Sequence, residues 1–181
     1  MRIITGRAKG LRLKTPAGLS TRPTSDRVKE SLFSILSGLI NFAEVEAVLD
    51  IFAGTGALGL EAVSRGAASA TFIDSATTAI IGDNIVRAKF EGCRNLRGDF
   101  ERIMRRLAKE GAAFDLIFSD PPYSRGLAQR SLALAAELGL LKSGGLMIVE
   151  HGADETLSGD FELIRAEVYG NTTAIKIFKG T

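Results

Sequence analysis

Apolar positions follow two rhythms along this chain. Short continuous runs, "EAVLDIF" (46–52), "SATFID" (69–74), "AFDLIFSD" (113–120) and "GGLMIVEH" (144–151), suit strands buried on both faces. Between them, apolar residues recur three and four apart in "ALGLEAVSRG" (57–66), in a stretch ending near Lys89, in "FERIMRRLAKEG" (100–111) and in "LAQRSLALAAELGLL" (127–141), and each predicts a helix. "CRNLRG" (93–98) is a weaker strand between two of these helices. Ahead of the first strand, "TRPTSDRVKESLFSILSGLI" predicts a helix with Ser25 as N-cap, Asp26 in its first turn, and Val28, Leu32, Ile35, Leu36 and Leu39 on one face. The two ends of the chain differ from the middle. Residues 2–14 read as two short strands around the turn-prone "GRAKG", and "DFELIRAEVYG" with "NTTAIKIFKG" as an antiparallel pair turning at Gly170 and Asn171. Strands alternating with helices imply an α/β fold: a mostly parallel sheet with helices on both faces and an antiparallel edge. No repeat or second domain is evident, so residues 1–181 are expected to form one domain, with 1–20 a basic N-terminal β-hairpin extension.

Composition narrows the chemistry. With 181 residues and 45% hydrophobic content the chain can bury a sizeable core. No apolar run approaches the roughly 20 residues that span a bilayer, and "MRIITGRAKG" lacks the apolar block of a secretory signal, so a cytoplasmic protein without membrane partners is expected. A lone cysteine, Cys93, excludes an internal disulfide and a cysteine-cluster metal site, and a single histidine, His151, leaves little for histidine chemistry; no metal is expected. Net charge is only +2, but residues 1–29 carry eight basic residues against Asp26 alone, a net of +7, and the remainder nets −5. A polyanion-binding arm on a neutral-to-acidic body fits this asymmetry, with Arg7, Lys9, Arg12, Arg22, Arg27 and Lys29 as candidate contacts. Interleaving with Ile3, Ile4, Leu11 and Leu13 suggests that the arm is folded.

Two loops carry candidate chemistry. In "LDIFAGTGALGLEA" a strand ends at Asp50-Ile51-Phe52 and Gly54, Gly56 and Gly59 lead into a helix, the G-x-G-x-x-G pattern in the strand-to-helix context that makes it informative. A nucleotide-like cofactor would sit there, at the strand's carboxyl end, and Asp74 at the end of the next strand could accept hydrogen bonds from ribose hydroxyls. Dinucleotide and S-adenosylmethionine sites share this layout. Asp50, four residues before Gly54, tilts the choice: a carboxylate favours a sulfonium and an ammonium group and repels a pyrophosphate. Asp99 and Phe100 end the third strand, where a carboxylate can pair an adenine amine and a ring can pack beside it. The second loop is "SDPPY". Asp120 and the Pro121 carbonyl can both accept from the N–H groups of an exocyclic amine, so that its lone pair faces a methyl donor. Pro121 and Pro122 stiffen the loop, and Tyr123 offers a stacking face for an extruded base. Nothing in this loop distinguishes guanine N2 from adenine N6.

"LDIFAGTGALGLEA" with "SDPPY" resembles the class I S-adenosylmethionine-dependent amino-methyltransferases, whose fold is Rossmann-like. "RIITGRAKGLRLKTP", "TRPTSDRVKESLFSIL" and the closing "EVYGNTTAIKIF" are similar to the RsmD family, and the resemblance runs through most of the chain. It implies a seven-stranded sheet with an antiparallel last strand and methylation of a guanine N2 amine in 16S rRNA, presented in the 30S subunit or a late assembly intermediate. By position it implies Asp50, Phe52, Gly54 and Gly56 as the cofactor loop, Asp74 at the ribose, Asp99 and Phe100 at the adenine, and Asp120 through Tyr123 at the base. Thr24 and Arg27 would approach the cofactor's methionine end or the RNA. Two positions depart from the family: Asp74, where glutamate is more usual, and Ser124, where an aromatic residue often follows the tetrapeptide in related enzymes. Other readings are adenine-N6 methylation of RNA or DNA and a catalytically silent rRNA-binding assembly factor. Glutamine methylation would want asparagine at Asp120, and an oxidoreductase leaves Asp50 unexplained. His151 is expected on the polar rim, Cys93 as a small buried apolar group, and "RIMRRLAKE" as a solvated helix face.

Overall fold

A computed structural model describes residues 1–16, 26–123 and 125–181. Ser25, the expected N-cap, lies outside the described residues, as do Arg22, Thr24 and Ser124. Helix α1 (Asp26–Leu39) and a short 3-10 turn (Phe42–Glu44) lead into strictly alternating elements. These are β1 (Ala47–Ile51), α2 (Ala57–Arg65), β2 (Ser69–Asp74), α3 (Thr78–Ala88), β3 (Cys93–Arg97), α4 (Phe100–Lys109), β4 (Phe114–Ser119), α5 (Leu127–Glu137) and β5 (Leu141–Gly152). Two further strands, β6 (Glu162–Tyr169) and β7 (Thr173–Lys179), close the chain.

The strands form one seven-stranded sheet in the order β3-β2-β1-β4-β5-β7-β6. β1 to β5 are parallel, and β7 runs antiparallel to both β5 and β6. This is the Rossmann-like class I methyltransferase arrangement, with one change to the expected edge: the antiparallel strand β7 lies inside the sheet and β6 forms the border. The chain order reverses beside β1, between β1 and β4, which opens a crevice at their carboxyl ends.

Pleating assigns the two faces. Val48, Phe72, Leu116, Phe118, Ile148 and Ile175 pack with Leu32, Phe33 and Leu36 of α1, Leu60 and Val63 of α2 and Ile81 of α3. Leu49, Ile51, Ile117, Met147 and Val149 pack with Ile103, Met104 and Leu107 of α4 and Leu132 and Ala135 of α5 on the other face. Fully burying one such side chain contributes about 1.5–3 kcal/mol, so both helix layers are held firmly. In α1 the apolar face turns slightly from the expected one: Phe33 is fully buried and Leu39, at the helix end, is 44% exposed.

Among the described residues the N-terminal hairpin is reduced to a single antiparallel bridge, Arg2 with Arg12. Ile3 N–H donates to Leu11 O at 3.0 Å and Leu13 N–H to Met1 O at 3.2 Å, but much of the loop's remaining backbone bonds to α2 instead. Ile4 and Thr5 N–H donate to the Glu61 carboxylate at 2.7 and 3.0 Å, and Arg7 N–H to Ser64 O at 2.8 Å. Gly6 makes this approach possible: its φ is +88°, and a Cβ there would lie 1.9 Å from Ser64 O.

Candidate active site

The glycine loop is built as its spacing predicts. Gly56 is left-handed at φ +78° and opens α2, and at Gly59 a Cβ would meet the Phe72 ring at 2.5 Å, so only glycine lets α2 lie this close to β2. Phe52 also has positive φ, +61°, an unusual conformation for an aromatic residue and a sign that the turn after β1 is tightly constrained. Its ring packs on Phe100 with centroids 4.7 Å apart.

Around this loop lies a cavity of about 510 Å³ lined by residues from both chemical motifs, among them Asp50, Phe52, Gly54, Asp74, Asp120, Pro121, Pro122 and Tyr123. Asp50 is 2% exposed, and its Oδ2 accepts the Gly59 amide at 2.9 Å. Burial pushes its carboxyl up to about 7, against the lowering pull of that amide. Asp74 is held differently. Its Oδ2 accepts from Gly54 N–H at 3.0 Å, and its Oδ1 from Ala76 and Thr77 N–H at 2.8 and 2.9 Å. Burial pushes Asp74 upward, but the three amides, with the Thr77 hydroxyl, outweigh it and hold the carboxyl below its ordinary value. The shorter side chain at this position is thus met by a backbone that closes around it.

Asp120 and Glu150 occupy the next strand ends. Phe118 pairs with Ile148 and Ser119 with Val149, so Asp120 and Glu150 stand opposite each other, one pleat beyond Phe118 and Ile148 on the α1–α3 face. Asp50 shares that face, two residues beyond Val48. Burial, then the charges of Glu150 and Asp50, push the Asp120 carboxyl well above the ordinary carboxylate range. Glu150 is 7% exposed and accepts from Tyr123 Oη at 2.5 Å, and Tyr123 Oη also lies 3.0 Å from Thr173 Oγ1. Burial and the Glu150 contact raise the Tyr123 phenol above its ordinary value, so it remains a neutral donor. Sequence reading missed Glu150. Its signal was the period-2 pattern of "GGLMIVEH", which puts residue 150 on the face that carries Asp120.

Several candidates lie elsewhere than expected. Asp99 is exposed and caps α4, its Oδ1 accepting from Arg102 N–H at 3.0 Å, and Phe100 is buried beneath Phe52; neither lines the cavity. Lys29 is not on the exposed basic surface. It is 2% exposed, its Nζ lies 3.3 Å from Glu61 and donates to Arg2 O, and it borders the cavity. Burial pulls the Lys29 ammonium down, against the Glu61 carboxylate that raises it. The reason is periodic: Lys29 shares a helix face with Leu32, Phe33 and Leu36. Arg7, Lys9, Arg12 and Arg27 are exposed, although Arg7 is partly committed, donating to Val63 O at 3.2 Å and lying over the Phe90 ring at 5.2 Å. His151 is a buried residue rather than a rim one. Its Nδ1 contacts Gly152 O at 2.8 Å, and burial lowers its imidazole below the ordinary value. Cys93 is half-buried against the core, its thiol pushed up to about 11 by burial. In α4, Ile103, Met104 and Leu107 are buried while Arg105 and Arg106 pair with Glu137 and Glu110 at the surface, as expected of a solvated face. Among the described residues no group of three or more His, Cys, Asp or Glu is arranged to hold a metal ion, and no helix is long and apolar enough to cross a membrane.

This architecture has relatives along its whole length. Residues 1–178 match the family described as conserved hypothetical protein 95. The chain is 37% identical to ribosomal RNA small subunit methyltransferase D of Escherichia coli (strain K12), over 94% of this chain and 85% of that protein. It is 34% identical to the protein of the same name from Haemophilus influenzae, over 87% and 81%. Among solved structures, a putative methyltransferase from Escherichia coli superposes with a TM-score of 0.83 at 34% identity, covering 100% of this chain and 98% of that one.

Proposed function

The chain belongs to the conserved hypothetical protein 95 family, the RsmD family, and from that premise we propose that it methylates rRNA of the small ribosomal subunit, using S-adenosylmethionine, at the exocyclic N2 amine of a guanine in 16S rRNA. One observation carries the reading. Asp50, Asp120 and Glu150, carboxylates from three strand ends, line a single cavity beside a glycine loop. Such a wall concentrates acceptors, which favours a cationic cofactor and an amine bearing two N–H groups.

The residues present fit that cofactor. Gly56 and Gly59 let the loop and α2 close up where a Cβ would clash, and buried Asp50 suits the methionine ammonium and the neighbouring sulfonium. Asp74, ordered by three amides, would take the ribose, and the adenine would extend past it toward Asp99 and Phe100, which supports the cavity wall through Phe52. Bound there, S-adenosylmethionine supplies an electrophilic methyl group. Asp120 and the Pro121 carbonyl hold the amine hydrogens so that the nitrogen lone pair faces that group, and positioning of this kind lowers a barrier by several kcal/mol. The raised proton affinity of the Asp120 carboxylate suits it to take the proton that the nitrogen loses. Tyr123, held by Glu150 and Thr173, presents its ring to the base. Exposed Lys9, Arg12 and Arg27 contact RNA phosphates, with Arg22 given the same role and Thr24 given to the cofactor. We place the reaction in the cytoplasm, on the 30S subunit or a late assembly intermediate, with residues 1–181 acting as one domain.

The test supplies methyl-labelled S-adenosylmethionine with 30S subunits, naked 16S rRNA, duplex DNA or total protein, and identifies the product by nucleoside digestion and mass spectrometry. N2-methylguanosine from 30S subunits or 16S rRNA is expected. N6-methyladenine would discard the base assignment, and no transfer to any sample with cofactor bound would overturn the enzymatic reading.

A further inference from the structure

A second cavity, of about 620 Å³, lies on the far side of Tyr123 and Glu150, and these two residues line both spaces. Arg27 and Ser31 of α1 face Tyr169 and Thr173 of the β6–β7 hairpin across it, and Ser31 Oγ lies 3.1 Å from Tyr169 Oη. An amine held at Asp120 has the cofactor on one side, so the body of its base must pass Tyr123 into this second space. That path brings the base's Watson–Crick edge against Glu150, because Ser119 pairs with Val149 and the next residue of each chain, Asp120 and Glu150, carries its charge close to the other.

The two candidate bases differ at the atom beside the reacting amine. Guanine carries N1–H, a donor, next to N2, and adenine carries N1, an acceptor, next to N6. A carboxylate attracts the first and repels the second. We infer that Glu150 selects the base: its carboxylate accepts the N1–H of guanine in the second cavity and rejects adenine, which the Asp120–Tyr123 loop alone does not do. A carboxylate accepts several hydrogen bonds at once, so the contact with Tyr123 Oη does not consume it; it aims the group instead. Arg27 at the mouth of the cavity is placed for the target nucleotide's phosphate.

The inference rests on the proposed guanine-N2 reading, and the experiment separates the two. The target guanine is replaced by 2-aminopurine, which keeps the N2 amine but presents N1 as an acceptor, in 16S rRNA reconstituted into 30S subunits. Wild-type enzyme should prefer guanine in kcat/KM by at least about 10-fold. Glu150→Gln should lower that preference about 10-fold or more, because the amide can donate to N1. Tyr123→Phe, which frees the carboxylate from the contact that aims it, should slow both substrates and lower the preference by less than Glu150→Gln does. A Glu150→Gln variant that slows both substrates equally would overturn the inference and leave Glu150 as a support for Tyr123. If that variant does not fold, the wild type decides, since equal use of both bases would overturn the inference. Absence of N2-methylguanosine with natural 30S subunits would sink the underlying reading instead.

Discussion

At the end of β2, Asp74 is wrapped by three backbone amides and its carboxyl is held below the ordinary value. At the ends of β4 and β5, on the other side of β1, Asp120 and Glu150 face each other, and burial with their mutual repulsion drives the Asp120 carboxyl far upward. The same residue type, at the same end of the same sheet, is held by backbone amides in one half and set beside other carboxylates in the other. Asp50 on β1 stands between them, with the Gly59 amide and a carboxyl pushed up to about 7. On the proposed reading, the half that takes the cofactor is preorganised by backbone before the ligand arrives. The half that takes the amine sets carboxylates against one another, and an incoming pair of N–H groups would relieve that repulsion.

The largest expected effect comes from the half that takes the amine. Asp120→Ala should cut kcat by about 10³-fold or more, from weaker positioning and the missing proton acceptor, while cofactor affinity stays close to wild type. Single-turnover rates alongside calorimetric titration of cofactor check both numbers, and a loss of affinity with an intact rate would reverse the roles given to the two halves. Asp74→Ala is the converse. It strips an ionised acceptor from Gly54, Ala76 and Thr77 N–H and should destabilise the fold by about 2–4 kcal/mol, with cofactor affinity falling in step. Thermal unfolding with and without cofactor measures it.

A gentler probe is pH, to which Asp50 and Asp74 respond with opposite signs. Asp74 has a folded value below its ordinary 3.8, so its stabilising contribution is present above 3.8 and lost as pH falls through the lower folded value. Asp50 has a folded value of about 7, so folding favours its protonated form; its contribution is fully present below 3.8 and is lost as pH rises toward 7. A cationic cofactor reverses that preference. Cofactor affinity should therefore weaken below pH 7, by up to about tenfold per unit, with proton release on binding near pH 6. Titration calorimetry in two buffers of different ionisation enthalpy reads the proton directly. A pH-independent affinity would take Asp50 out of contact with the cofactor's charge.

Much of this contrast was legible in the sequence. The strands β1, β2, β4 and β5 are continuous apolar runs because helices cover both faces, and Gly54, Gly56 and Gly59 marked the strand-to-helix loop because few other residues tolerate that turn and that helix contact. What was hidden depended on neighbours rather than on local pattern. Alternation in β7 announces a strand but not that it slots between β5 and β6. Residues 2–14 alternate like a hairpin, yet several of their backbone partners belong to Glu61 and Ser64 of α2. Asp99, expected at the adenine, caps α4 and stands outside the cavity lining, because a carboxylate ahead of a helix accepts from its first amides. Other misses were readable in principle: helical period puts Lys29 with Leu32, Phe33 and Leu36, and strand period puts Glu150 with Ile148 and His151 with Val149.

The smallest effect probes a region outside both halves. The N-terminal loop is clamped beside the cavity at the glycine loop through Glu61 and Lys29, and Met1 reaches the cavity lining, while Lys9 and Arg12 are exposed to solvent. Charge reversal at Lys9 and Arg12 should leave cofactor affinity and the folded state intact, because neither side chain contributes to that clamp. RNA binding should weaken instead, and its log–log dependence on salt should flatten by about 0.7–0.9 for each phosphate no longer neutralised. Filter binding of 30S subunits across a salt series measures the slope. A flattened slope with normal cofactor binding assigns the loop to the substrate alone. An unchanged slope removes it from the RNA interface, and its basic charge then has to be explained by solvation.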